Sequence, residues 1–179
     1  MKRQSSIFGW KTVFKNYGWK SFLKDSIMPL IISFTISIVM YQIGTDTFSQ
    51  LKVLVNIGIS IVPAMVALIL TAYTIMLTFI TGDKFSSITH TNKGKELIQD
   101  LNSSFAACLF VSTISIIMMI MVSTITNLEI TIKNPNIVNY PIYISVCYLL
   151  IYSVSILIGI VIDIFNCGQT TLLESKEDK

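Results

Sequence analysis

Four apolar stretches, roughly residues 27–43, 53–81, 103–126 and 141–166, dominate the chain, and each approaches or exceeds the ~20 helical residues that cross a ~30 Å hydrocarbon core. Within lipid every backbone N–H and C=O must be satisfied inside the segment, so the isoleucine and valine content that favours strands in water loses its meaning. The pattern predicts an all-α protein, an integral membrane bundle of four transmembrane helices. Composition agrees, since 53% of the 179 residues are hydrophobic and only 13% are charged, against roughly a quarter charged in soluble domains.

The stretches divide the chain into a basic, aromatic arm (1–26), a transmembrane domain (27–166) with a loop at 82–103, and a short charged tail (167–179). Pro29 and Pro141 suit first helical turns, where the missing N–H is no loss. Pro63 falls in the middle of the second span and is expected to bend it. Ahead of the third span, Leu97, Leu101 and Phe105 recur at helical spacing among Lys95, Glu96, Gln99 and Asp100, so that helix should project beyond the membrane. No small-residue cleavage pattern follows the first apolar run, which argues against a removed signal peptide.

Lys and Arg are distributed unevenly. Lys2, Arg3, Lys11, Lys15, Lys20 and Lys24 precede the first span, Lys84, Lys93 and Lys95 lie in the middle loop, and Lys176 and Lys179 in the tail. Only Lys52 and Lys133 fall in the two remaining connections. By the positive-inside bias of a multi-pass protein, both termini and the middle loop are expected in the cytoplasm.

Catalytic apparatus is not indicated. Cys108, Cys147 and Cys167 are scattered through apolar sequence without a CxxC pair, and His90 is the one histidine, which disfavours zinc sites, nucleophile–base pairs and proton shuttles. Met118, Met119 and Met121 read as packing rather than copper ligands. No phosphate-binding or dinucleotide-binding glycine motif occurs. No metal, cofactor, enzymatic activity or direct nucleic-acid binding is therefore expected.

The arm holds an imperfect repeat, with Trp10 and Lys11 matched by Trp19 and Lys20 across Gly18. Aromatic rings mixed with lysines beside a span describe an interfacial amphipathic segment anchored in the bilayer, or a docking site for a partner. The second span carries a polar stripe, Asn56, Ser60, Pro63, Ala67, Thr71, Thr74, Thr78 and Thr81, at steps of three and four. The fourth carries Ser145, Tyr148, Tyr152, Ser155, Gly159, Asp163 and Asn166, in which Ser155 and Gly159 form a small-xxx-small pair suited to close helix approach. Each stripe should turn from lipid, either into the bundle or toward a pore shared by several subunits. Asp163, a charge inside a span, is expected to pair with a lysine of the arm or loop, or to serve as a gate. Lys93, Lys95, Glu96 and Asp100 form a candidate surface for a cytoplasmic protein.

The order of parts resembles the small four-span membrane subunits of bacterial anti-phage defence systems of the Kiwa type. The layout that carries this is the arm, the second span ending Thr71-Ala72-Tyr73-Thr74-Ile75-Met76-Leu77-Thr78-Phe79-Ile80, and the link Gly94-Lys95-Glu96-Leu97-Ile98-Gln99-Asp100-Leu101-Asn102-Ser103-Ser104-Phe105. The resemblance implies a homo-oligomeric inner-membrane sensor or scaffold that works with a separate cytoplasmic effector. A holin-like pore lined by the stripes, and a small transporter or bacteriocin-immunity protein, fit the same four spans.

Overall fold

The computed structural model describes residues 13, 15, 17–80, 92–128 and 135–177. Its elements are four helices: α1 (Trp19–Ile43), α2 (Thr47–Ile80), α3 (Asn92–Thr126) and α4 (Pro135–Glu177). All four are long and apolar enough to cross a membrane, and no strand occurs among the described residues.

Helix ends differ from the hydropathy boundaries in a consistent direction. α1 begins at Trp19, so Pro29 lies inside it rather than in its first turn, and residues 19–26 belong to the helix instead of a separate arm. Pro141 likewise lies within α4, which starts at Pro135 and runs on to Glu177, through most of the expected tail. Hydropathy marks where lipid would lie, whereas the helix ends where capping chemistry ends it. Gly18, at φ 75°, breaks the chain before α1, between the two copies of the repeat. Gly44 closes α1 in the left-handed region at φ 69°, a conformation glycine adopts without strain, and its N–H reaches the Tyr41 carbonyl at 3.2 Å. Two residues on, Asp46 caps α2: its carboxylate accepts from the Phe48 N–H at 3.1 Å and from the Ser49 hydroxyl at 2.6 Å. Those two bonds hold the exposed carboxyl below its usual pKa.

α4 is the hub. α1 packs chiefly on it, while α2, α3 and α4 pack on one another. The core falls into two apolar clusters. One gathers Ile69, Met76, Phe105, Cys108, Tyr152 and Ile156, the other Leu51, Val55, Val62, Met119, Val122 and Val146. Between them along α3 lie fully buried serines. The Ser115 hydroxyl stands 3.0 Å from that of Ser153 on α4, a bond that ties the two helices without introducing charge. α2 comes close through Gly58, where an added Cβ would overlap the sulfur of Met119 on α3. α1 presents small buried residues, Pro29, Ser33 and Ser37, one turn apart toward its neighbour, and a broad exposed apolar face elsewhere.

Candidate functional site

The two polar stripes turn in opposite directions. On α4, Tyr152 is buried and Tyr148, Ser155, Gly159 and Asp163 are half-buried, while Ser145 and Asn166 at the two ends of the stripe are exposed. On α2, Asn56, Ser60, Pro63, Ala67, Thr71, Thr74 and Thr78 are all exposed. Packing of the α2 stripe inside the bundle is thus ruled out; its buried face is instead Leu51, Val55, Val62, Met65, Ile69 and Met76. Apolar residues fill the bundle interior there because they bury more hydrocarbon without a hydrogen-bond cost.

The hydroxyls of the α2 stripe bond backward along their own helix. Ser60 donates to the Asn56 carbonyl at 3.0 Å, and Thr71, Thr74 and Thr78 donate to carbonyls one turn earlier at 2.9 Å. Such hydroxyls need no outside partner. The Asn56 side-chain amide is different, having no hydrogen-bond partner among the described residues while sitting nine residues into the long apolar run of α2.

The α4 stripe leads into a cavity of about 330 Å³ where α1, α3 and α4 meet. Three carboxylates from three helices face it, Asp25, Asp100 and Asp163, with Lys24 the one cation among its described lining residues. The expected pairing of Asp163 with a lysine is not seen: among the described residues it has no ion-pair partner, although Lys24 lines the same cavity, and the other two aspartates stand near it. Asp25 and Asp100 likewise lie in helices of spanning length. At the cavity wall the Tyr17 phenol donates to Asp25 Oδ2 at 2.6 Å. Burial, and after it the neighbouring Asp25, push this phenol above its usual pKa, so it remains a donor. Ser26 and Tyr148 share a short hydroxyl–hydroxyl bond nearby. The Phe22 and Tyr152 rings meet edge-on at 5.5 Å, and Tyr148 stacks on Tyr152 at 5.6 Å, so aromatic contacts seat α1 on α4 at this end.

Gly159 does not mediate close approach. A Cβ built there would meet nothing within 4 Å, because it borders the cavity, and the tight contact of the bundle is at Gly58 instead. No group of three or more His, Cys, Asp or Glu among the described residues is arranged to hold a metal ion. Cys108 and Cys147 are free and buried.

Of the candidate partner surface, Lys95, Glu96 and Asp100 are exposed on the first turns of α3, while the Lys93 side chain lies outside the described set. Trp10, Lys11 and Thr81 lie outside the described residues, as does the Trp19 side chain; Lys20 is exposed. Sequence reasoning passed over Tyr17, Asp25 and Ser104 as cavity residues. Their signal was available in principle, since Tyr17 and Asp25 are polar positions just ahead of the first apolar run and Ser104 stands at the start of the third. No protein-family model matches the chain, and neither a curated protein nor a solved structure shows significant similarity to it.

Proposed function

We propose that the protein is a non-catalytic, self-associating subunit of a bacterial inner membrane, a sensor or scaffold of a defence system whose effector is a separate cytoplasmic protein. The observation that carries this reading is the outward-facing stripe of α2. Its exposed small residues, Ser60, Ala67 and Thr71 among them, permit close approach by another copy. Asn56 supplies a reason for that contact, since an amide facing hydrocarbon without a partner is costly and one facing a second copy of itself can be paired. The basic bias of the arm, middle loop and tail supports cytoplasmic termini. The exposed Lys95, Glu96 and Asp100 then offer charged purchase to the effector, and the layout resemblance supports the defence setting.

Co-expression of two differently tagged copies tests the association. Mild-detergent extracts should show co-capture of the tags, and Asn56→Leu combined with Thr71→Leu should reduce it at least fivefold. Wild-type co-capture in that variant would refute the role of the stripe. Charge reversal at Lys95 and Glu96 should abolish capture of the cytoplasmic partner while leaving self-association intact.

The same exposed hydroxyls favour a second reading, a pore lined by α2 faces from several copies. Purified protein in liposomes would then pass dye, with leucine at Thr74 and Thr78 blocking it. Sealed liposomes would leave the scaffold reading standing.

A further inference from the structure

At the end of the bundle opposite the acidic cavity, the starts of α2 and α4 and the end of α3 enclose a pocket of about 80 Å³. Phe48, Leu51, Val122, Ile125 and Ile142 make it apolar, and one uncommitted polar group, the amide of Asn139, is set among them. Thr126 also borders the pocket, but its hydroxyl already donates to the Ser123 carbonyl at 3.1 Å. Asn139 is 7% exposed and its amide has no hydrogen-bond partner among the described residues. A primary amide carries two N–H donors and two acceptor lone pairs, and buried groups of this kind are paired in native proteins, by protein, water or ligand.

Depth narrows the choice. The spanning segment of α4, Pro135–Asn166, has 32 residues, or about 48 Å at ~1.5 Å per residue, which overruns a ~30 Å hydrocarbon core by roughly 9 Å at each end. Asn139 lies about 6 Å in from Pro135 on that scale, within the zone between hydrocarbon and headgroups, where the ester carbonyls of glycerolipids lie. The pocket is about half the size of the ~150 Å³ cavity that accepts benzene, so it takes about three or four heavy atoms. A carbonyl and the first methylenes beyond it match that volume and that mixture of surfaces.

We propose that this pocket is a lipid site, taking the ester carbonyl and first methylenes of a glycerolipid acyl chain, with the Asn139 Nδ2–H donating to the carbonyl oxygen. The proposal rests on the chain spanning a bilayer but not on its self-association.

Native mass spectrometry of the full chain, delipidated in mild detergent and supplied with either diester phosphatidylethanolamine or its diether analogue, tests it. The two lipids share chains and headgroup and differ in the carbonyl. The wild-type chain should retain the diester about fivefold better, the worth of one hydrogen bond. Asn139→Leu should erase that preference, and Val122→Phe, which fills the pocket, should lower retention of the diester to that of the diether. Equal retention of the two lipids by the wild-type chain, the result for a pocket that holds water only, overturns the proposal, as does a preference that survives Asn139→Leu. If neither variant accumulates, the wild-type comparison decides alone. Failure of the spanning reading is separate, and would show as release of the chain from membranes by alkaline carbonate.

Discussion

Replacing Gly58 by alanine probes the tightest contact in the bundle. A Cβ built at this position overlaps Met119 Sδ and stands 2.7 Å from Met119 Cε and 3.1 Å from Leu150 Cδ2. Met119 is fully buried, so its end cannot swing into open space. Overpacking of this kind costs ~1–3 kcal/mol, and the better helix propensity of alanine returns up to ~1 kcal/mol. The net expectation is a loss of about 1 kcal/mol. A double-mutant cycle removes the propensity term. In a Met119→Ala background, itself costing ~2–5 kcal/mol, the new methyl enters the emptied space, and the coupling should be about 1–3 kcal/mol in favour of the double variant. Unfolding by dodecyl sulfate titration in mixed micelles measures all four corners. Additivity within ~0.5 kcal/mol would refute the contact of Gly58 on α2 with Met119 on α3.

The bond between Ser115 and Ser153 should be worth about 0.6 kcal/mol, the usual scale between membrane helices, so Ser153→Ala should shift the same unfolding midpoint by that small amount while leaving the fold intact. Tyr17→Phe removes the donor to Asp25 and should cost about 1 kcal/mol, seen as earlier protease cleavage N-terminal to α1. Asp46→Ala should cost about 1 kcal/mol through loss of the α2 cap. Because the folded-state pKa of Asp46 is lowered, the stability it adds is present above the unfolded value near ~3.9 and fades as pH falls through the folded value. The difference between Asp46→Ala and wild type, measured by thermal unfolding in detergent, should therefore be constant at neutral pH and shrink in acid below about pH 4.

How far the structure could be read from the sequence depended on which force set each feature. Four helices were legible because long apolar runs leave the backbone few alternatives, and the extension of α3 back to Asn92 followed from Leu97, Leu101 and Phe105 at helical spacing. Helix starts were not. Trp19 and Pro135 begin their helices outside the apolar runs, and Asp25 and Asp100 were read as arm and loop for the same reason. The Asp46 cap, with Ser49 three residues on, was a readable signal that hydropathy obscured. Stripe orientation was beyond single-helix patterning: spacing groups Asn56 with Thr78 on a face, but the packing of α3 and α4 on the Val55, Val62 and Ile69 side decides that the polar face looks outward. Gly159 and Gly58 make the same point, since a small residue permits close approach only where a neighbour is present to make it.

Disulfide trapping in native membranes shows whether copies of the chain meet along α2. In a chain carrying Cys167→Ser, where the remaining Cys108 and Cys147 are buried, Thr74→Cys on the α2 stripe should give a dimer band on mild oxidation, and Ile117→Cys on an exposed face of α3 should stay monomeric. Failure of the Thr74→Cys chain to cross-link, or equal cross-linking at both positions, would contradict a subunit that associates through the outer stripe of α2.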